Sequence, residues 1–318
     1  MSRGLQVLIY HQNSEFVDRY ERLIRQARED LQLLVCKDKQ QIEEVVDRAD
    51  IIFAGHTFPI EYIPKAKNLK WVQSMGAGVE NYTRAKAIKP PVILTKVRGM
   101  FGPIMSEYVV AYILALTQRM REVFANQSKK RWAPFFTESI EAKTVGVMGL
   151  GSVGATIAYR IHRMGAEVIA LEEQERRLPY IKKEYPPTEI DEFLGRADFV
   201  VVTLPLTNTT HGILGEKEFA MMKKSAYLIN VSRGPLVQER ALLKALGERQ
   251  IAGAVLDVFD EEPLPADHPF WELDNVIVSP HISGPSLPEA IAEVFIENLK
   301  RFEKGKTLEG VVNLEREY

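Results

Sequence analysis

The sequence predicts an α/β protein built from two doubly wound domains, each around a parallel sheet. The chain has 318 residues, of which 46% are hydrophobic, so it is longer than a usual single domain and can bury a large core. Short apolar runs alternate with amphipathic stretches from end to end, and these runs fall into two sets. Strands that alternate with helices favour parallel sheets joined by right-handed crossovers.

The first set of apolar runs predicts five strands. The first helix is expected at residues 14–28, because its apolar side chains recur at helical spacing. The five predicted strands are residues 7–10, 31–36, 51–54, 69–73 and 92–95.

The second set predicts six strands, preceded by one long helix at about residues 103–128. A last helix, at about residues 287–304, has no strand of this set after it, and we expect it to return to the first domain. The predicted domains are therefore residues 1–99 with 286–318, and residues 100–285. The six predicted strands are residues 144–148, 167–171, 199–203, 227–231, 254–256 and 276–278.

Composition excludes several classes of protein. The chain carries 41 basic and 43 acidic residues and has no basic stripe, which argues against nucleic acid or an acidic membrane as partner. Its single cysteine, Cys36, ends an apolar run and is expected to be a core thiol. The N-terminus has no signal-peptide shape and no apolar run is long enough to span a bilayer. These features predict a soluble cytoplasmic protein that needs no metal.

A glycine-rich turn lies between the first strand of the second set and a helix expected at residues 155–164. Gly149 allows a tight turn, Gly151 lets the backbone approach a pyrophosphate, and Gly154 lets the helix pack close to the strand. Ser152 and Val153 complete the motif. A strand, this turn, a helix and a second strand together predict a dinucleotide site.

Glu172 follows that second strand, where a carboxylate can accept both ribose hydroxyls of a dinucleotide. The same charge would repel a ribose 2′-phosphate, so NAD(H) is favoured over NADP(H). Arg176 and Arg177 could fold back onto a phosphate, and NADP(H) therefore stays open.

Three further side chains follow the turn and point to keto-acid chemistry. Arg233 and His281 each come just after an apolar strand, and Glu262 lies in an acidic run between them. An arginine holds a carboxylate, a histidine moves a proton, and an acid sets the charge of the histidine. Ligands of open α/β sheets bind at the carboxyl ends of strands, so these three residues are candidates for one site.

The chain resembles the D-isomer-specific 2-hydroxyacid dehydrogenase family over essentially its whole length. Several motifs occur in the family's order, among them Asn-Val-Ser-Arg-Gly-Pro at 230–235 and Gly-Ala-Val-Leu-Asp-Val-Phe at 253–259. The other matching segments are residues 71–79, 144–154, 204–207, 262–263 and 275–284.

The resemblance implies an NAD(P)-dependent D-2-hydroxyacid dehydrogenase with two Rossmann-like, flavodoxin-like domains, an active-site cleft between them, and a homodimer. It implies that residues 1–99 with 286–318 bind the substrate and residues 100–285 bind the cofactor. Arg233 would bind the substrate carboxylate and polarise the keto oxygen. His281 would donate the proton in reduction and remove it in oxidation. Glu262 would pair with His281 and raise its pKa.

The resemblance also implies contacts beyond this trio. Asp257 would hold the nicotinamide carboxamide, and backbone N–H groups of Ala77, Gly78 and Val79 would bind the substrate carboxylate. Met75 and Gly76 belong to the same substrate loop. The remaining implied cofactor contacts are Leu204, Pro205, Thr207, Val231, Ser232 and Gly284, with Arg233 and His281 shared between cofactor and substrate.

The substrate stays open, between a glyoxylate or hydroxypyruvate type and a broader or larger 2-keto acid. Trp132, Phe135 and Phe136 could reach the cleft or form only a dimer interface. One rival interpretation is a non-catalytic NAD(H)-sensing scaffold, since corepressors on this fold keep the same trio. A second, a formate-dehydrogenase-like oxidase, is disfavoured because that branch carries glutamine at the position of Glu262.

Overall fold

The structure, a computed structural model, describes residues 4–317. The chain divides into two compact units, Met1–Met100 with Ser286–Tyr318, and Phe101–Pro285. Each unit is built on a parallel sheet, one of five strands and one of seven. The predicted α/β fold class is confirmed.

The first unit holds five parallel strands in the order β2-β1-β3-β4-β5. All five predicted strands are present, with ends that lie within two residues of the expected ones. The order reverses between β1 and β3, as in a doubly wound sheet. The elements are β1 (Gln6–Tyr10), α1 (Ser14–Ala27), β2 (Gln32–Cys36), α2 (Lys39–Val45), β3 (Ile51–Ala54), β4 (Trp71–Ser74), α3 (Glu80–Arg84) and β5 (Ile93–Thr95).

The second unit holds seven parallel strands in the order β12-β11-β10-β9-β6-β7-β8. The six predicted strands are present, and a seventh, β8, was not predicted. Its elements are α4 (Phe101–Thr117), α5 (Met120–Ser128), β6 (Thr144–Met148), α6 (Ser152–Arg163), β7 (Glu167–Leu171), β8 (Lys183–Tyr185), α7 (Ile190–Arg196), β9 (Phe199–Val202), α8 (Glu216–Met221), β10 (Tyr227–Asn230), α9 (Glu239–Gly247), β11 (Gly253–Leu256) and β12 (Val276–Val278).

Both faces of the seven-stranded sheet are buried. Alternate residues of the central strands enter different hydrophobic clusters: on β9, Val200 and Val202 enter one, and Phe199 and Val201 enter the other. This alternation follows from the two-residue period of a strand. Strands buried on both faces read as continuous apolar runs, which is why the sequence revealed them.

The prediction of one long helix at 103–128 is wrong, because the helix breaks at Arg119. Arg119 has a left-handed backbone, with φ of +53°, between α4 and α5. The carbonyl of Thr117 accepts a hydrogen bond from the N–H of Glu138 at 3.0 Å. The side chain of Gln118 donates to the carbonyl of the same Glu138 at 3.0 Å. A segment distant in sequence thus binds the helix end.

The last helix, α10 (Pro288–Glu303), packs in the first unit. Phe295 stacks between Phe53 and Trp71, with ring centroids at 4.4 and 5.4 Å. The buried Asn298 donates to the side-chain oxygen of Gln73 on β4 at 3.0 Å. Buried amides that satisfy each other fix one register for this helix on the sheet.

Two further expectations concern single features. Cys36 is fully buried, and burial raises the pKa of its thiol to about 12, as expected of a core thiol. Across residues 4–317, no helix has both the length and the apolar character needed to cross a membrane.

Candidate active site

The glycine-rich turn has the shape that the sequence predicts, and steric limits fix it. Gly149 directly follows β6 and has φ of +92°, a backbone that favours glycine. A Cβ on Gly154 would lie 1.9 Å from the carbonyl oxygen of Gly149 and 2.6 Å from Oγ1 of Thr203. Thr203, at the end of β9, donates to the carbonyls of Met148 and Gly149 at 2.9 and 2.8 Å. The turn therefore sits at the point where the strand order reverses.

Gly151 is different, because a Cβ there would meet no atom within 4 Å. It lies at the N-terminus of α6, whose first turn contains Ser152 and Val153. Open space at a helix N-terminus suits an anion, since the first backbone N–H groups point into it. The residues present therefore fit the pyrophosphate of a dinucleotide.

Glu172 directly follows β7 and reaches back to the turn. Its Oε2 accepts a hydrogen bond from the N–H of Leu150 at 2.5 Å, and its Oε1 accepts from the N–H of Glu173 at 3.2 Å. The carboxylate thus lies beside the turn, and its binding of the ribose stays a prediction. Arg177 pairs with Glu175 at 2.9 Å and is largely exposed.

The predicted cofactor residues after β9 and β10 are joined to one another. Ser232 donates through its hydroxyl to the carbonyl of Leu204. The carbonyl of Pro205 accepts a hydrogen bond from the hydroxyl of Thr210 at 2.6 Å. The hydroxyl of Thr207 is hydrogen-bonded to the same Thr210 hydroxyl, with 3.1 Å between the two oxygens. These internal bonds hold the two loops in one shape; whether Thr207 and Val231 contact a cofactor stays a prediction.

Arg233 is held at the carboxyl end of β10 by its neighbours. The buried Asn230 donates to the carbonyl of Arg233 at 2.9 Å and accepts from the N–H of Ser232 at 3.1 Å. A Cβ on Gly234 would lie 2.0 Å from the carbonyl carbon of Phe259, so only glycine fits there. The loop that carries Arg233 therefore packs directly against the loop after β11.

Glu262 and His281 form a direct pair. Nδ1 of His281 lies 2.7 Å from Oε2 of Glu262, and the N–H of Phe259 donates to Oε1 of Glu262 at 3.0 Å. Their side chains are 49% and 35% exposed, so the pair is accessible to a ligand. The structure thus brings together two of the three residues predicted to act on the substrate.

Charge also links Arg233 to this pair. Partial burial raises the pKa of Glu262, but several effects outweigh it: the hydrogen bonds from His281 and Phe259, and the positive charges of His281 and Arg233. The net result is a pKa below the ordinary value of a glutamic acid. Glu262 is therefore ionised in the neutral range and can hold a proton on Nδ1 of His281.

Asp257 is fully buried, and both of its carboxylate oxygens are already bonded within the protein. Oδ1 accepts from the hydroxyl of Ser279 at 2.6 Å and from the N–H of Ile282 at 2.9 Å. Oδ2 accepts from the N–H of Ser283 at 2.9 Å. The structure therefore gives Asp257 a role in shaping the His281 loop, and its predicted bond to the nicotinamide carboxamide stays a prediction.

Gly284 ends the same loop against α4. A Cβ on Gly284 would lie 3.2 Å from Sδ of Met105, so a larger residue would press on that helix. A contact of Gly284 with the cofactor stays a prediction.

The predicted substrate loop lies at the carboxyl end of β4 in the first unit. Met75 is buried, and Ser74 fastens the turn by accepting from the N–H of Gly76 and donating to the carbonyl of Gly78, both at 3.2 Å. Within residues 4–317, the N–H groups of Ala77, Gly78 and Val79 donate to no protein acceptor. Three such donors in one turn suit a carboxylate.

The aromatic segment after α5 separates into two kinds of side chain. Trp132 and Phe136 are each 95% exposed. Phe135 is half-buried under the guanidinium of Arg119, at 4.6 Å from the ring centroid. Phe135 thus has a partner in its own chain, whereas the other two rings face outward.

Sequence reasoning missed the residues that hold these side chains in place. They share one signal, a polar side chain at or just after the end of a buried strand. These residues are Ser74, Thr203, Asn230 and Ser279. Among the described residues, no group of three or more His, Cys, Asp or Glu side chains could hold a metal ion.

Comparison with known proteins assigns the family. The family model for the D-isomer specific 2-hydroxyacid dehydrogenase, NAD binding domain, matches residues 110–283. A glyoxylate reductase from Thermofilum pendens is 32% identical over 97% of this chain and 88% of its own. A glyoxylate/hydroxypyruvate reductase A from Yersinia enterocolitica is 32% identical over 82% of this chain and 85% of its own.

Solved structures agree. An NADPH-dependent glyoxylate/hydroxypyruvate reductase from Sinorhizobium meliloti, in complex with NADP and sulfate, is 29% identical with a TM-score of 0.90. The alignment covers 99% of this chain and all of that one. The resemblance seen in the sequence is confirmed, and the chain belongs to the D-isomer specific 2-hydroxyacid dehydrogenase family.

Proposed function

We propose that this enzyme interconverts a 2-keto acid and a D-2-hydroxy acid, as a reductase of small substrates of the glyoxylate and hydroxypyruvate type. The observation that carries the proposal is the 2.7 Å contact between His281 and Glu262, on loops at the carboxyl edge of the sheet that bears the glycine-rich turn. The names of its relatives support the substrate class.

In this proposal His281 is the general acid of the reduction. The ionised Glu262 accepts the hydrogen bond from Nδ1, which leaves Nε2 to give a proton to the keto oxygen and to take it back in oxidation. When bound, the nicotinamide supplies or accepts the hydride. The protein supplies position and charge for that transfer.

Arg233 would bind the carboxylate of the substrate. A guanidinium binds a carboxylate through two parallel hydrogen bonds and can also polarise a neighbouring keto oxygen. In the first unit, the N–H groups of Ala77, Gly78 and Val79 are a separate candidate for binding a carboxylate. Because these contacts use only the carboxylate and the 2-keto group, they fit any 2-keto acid and leave the choice of side chain to other residues.

The proposal keeps NAD(H) as the preferred cofactor, supported by the carboxylate of Glu172 beside the turn. Arg176 and Arg177 instead favour NADP(H), and three solved relatives are described as complexes with NADP or NADPH. NADP(H) is therefore the alternative, and the ratio of the two activities decides.

We propose further that the enzyme is a homodimer whose interface includes Trp132 and Phe136. Two nearly fully exposed aromatic side chains on one segment mark an interaction site, since each buries a large apolar area when covered. Trp132→Ser with Phe136→Ser should give a monomer by size-exclusion chromatography with light scattering, and Trp271→Phe is the control. A variant that stays dimeric would remove these residues from the interface.

The test of the function is a panel of 2-keto acids mixed with the protein and either NADH or NADPH. Glyoxylate and hydroxypyruvate should be reduced faster than 2-ketoisocaproate and phenylpyruvate, and chiral analysis should give the D product from hydroxypyruvate. Turnover confined to the larger acids would overturn the substrate class. Tight NADH binding without turnover on any acid would favour the scaffold.

A further inference from the structure

A chain of hydrogen bonds runs from α4 to the loop that carries His281. The hydroxyl of Tyr108, on α4, lies 2.5 Å from the hydroxyl of Ser279. Ser279 directly follows β12, is 4% exposed, and contacts the buried carboxylate of Asp257 at 2.6 Å. These residues lie outside the trio that acts on the substrate.

The direction of each hydrogen bond follows from the chemistry of the groups. The hydroxyl of Ser279 donates to Oδ1 of Asp257, a carboxyl group that also accepts from the N–H groups of Ile282 and Ser283, so the single proton of Ser279 is used there. Ser279 can then only accept from Tyr108, which must be the donor. Burial raises the pKa of Tyr108 above that of a free tyrosine, so its phenol keeps this proton in the neutral range.

This chain ends at a strained backbone. His281 has φ of +53°, a left-handed conformation that a residue with a Cβ adopts only when its surroundings impose it. Its N–H donates to the carbonyl of Asp257 at 2.9 Å. The side chain of Asp257 binds Ser279 on one side of His281, and Ile282 and Ser283 on the other.

We infer that Tyr108 and Ser279 are positioning residues for His281, because together with Asp257 they hold its loop in the conformation that aims the imidazole at Glu262. The inference rests on the proposed function for its catalytic meaning. Its structural content, one hydrogen-bond chain that fixes residues 279–283, can be tested without a substrate.

The experiment compares Tyr108→Phe, Ser279→Ala and the double variant with wild type. Tyr227→Phe is the matched control, since it removes the hydroxyl of another half-buried tyrosine at the amino end of β10. Hydrogen exchange of peptides that cover residues 279–284 should be about tenfold faster in all three variants and unchanged in the control. Unchanged exchange in the variants overturns the inference, whatever the enzyme reduces.

Kinetics supply the catalytic test. Each single variant should lower kcat about tenfold with little change in the KM for NADH, because the glycine-rich turn and Glu172, which would hold the pyrophosphate and the ribose, are untouched. The double variant should lose no more than the larger single loss, since both hydroxyls act through one chain. The positioning role would be overturned if the kcat losses of the two single variants multiply in the double variant. It would also be overturned if the variants exchange faster but keep the kcat of wild type. Inactivity of the wild type itself would instead count against the proposed function.

Discussion

The glycine-rich turn and the loops of the trio lie along one edge of the same sheet, yet they are held in shape by different forces. The turn is fixed by close packing, because a side chain at position 154 would collide with the carbonyl of Gly149. The trio loops are fixed by hydrogen bonds that the carboxylates of Asp257 and Glu262 accept. From this difference we expect the losses caused by substitutions in the turn to be independent of pH. The losses caused by substitutions in the trio should depend on pH.

The largest expected effect comes from removing Arg233. Arg233→Ala should lower kcat/KM for the keto acid about a thousandfold, with KM raised and kcat lowered together, because one guanidinium serves both binding and polarisation. Steady-state kinetics measure both terms. Arg240→Ala, at an exposed position of α9, is the control. Near wild-type kinetics in Arg233→Ala would remove the arginine from the site.

A pair of glycine substitutions separates packing from cofactor binding. Gly154→Ala should lower the free energy of unfolding by about 1–3 kcal/mol, because its Cβ meets the Gly149 carbonyl and Thr203. Gly151→Ala should leave stability unchanged and weaken NADH binding about tenfold, since its Cβ fills only the space next to α6. Thermal melts measure the stability of each variant, and fluorescence titrations measure its affinity for NADH. The losses of stability and of affinity should be the same across the neutral pH range. A stable Gly154→Ala protein would break the steric account.

Glu262→Gln should move the pH profile of reduction. The lowered pKa of Glu262 means that its charge is present through the neutral range and is lost only as the pH falls through that value. Glutamine carries no charge at any pH, so reduction by the variant should be slower across the neutral range and should not show the fall in activity that wild type shows as the pH drops through the pKa of Glu262. The kcat profile of Glu261→Gln, an exposed neighbour, is the control. An unshifted profile would remove Glu262 from the mechanism.

The smallest expected effect concerns cofactor choice. Glu172→Ala should lower the NADH preference, measured as the NADH/NADPH ratio of kcat/KM, by about three- to tenfold, because a ribose 2′-phosphate would no longer meet its charge. We also expect a small decrease in cofactor affinity, because the variant loses the hydrogen bond between Glu172 and the N–H of Leu150. If the ratio is the same in the variant as in wild type, Glu172 holds the turn and does not discriminate between the two cofactors at the ribose.

The sequence allowed the buried parts of the fold to be predicted, because central parallel strands are continuous apolar runs and the turn needs its glycines. It did not reveal β8, whose Lys-Glu-Tyr has no apolar pattern. Nor did it reveal the break at Arg119, which depends on Glu138 binding the end of α4. That contact joins residues distant in sequence, and no local pattern records it.

The site divides in the same way. Arg233, Glu262 and His281 were predicted because their chemistry is specific and they follow or flank strands. Their supports were not, because the link between Tyr108 and Ser279 spans residues that only the folded chain brings together. For the same reason the bonds of the Asp257 carboxylate to the loop of His281 were not predicted, and its contact with the cofactor stays a prediction.

The most direct test of the central claim is the turnover of His281→Asn with NADH or NADPH and saturating glyoxylate. Asparagine is the suitable replacement because it tolerates the left-handed backbone at this position. If His281 supplies the proton, kcat should fall about a thousandfold while NADH binding, followed by fluorescence, stays as in wild type. A variant that binds NADH normally and keeps kcat within tenfold of wild type would contradict the account.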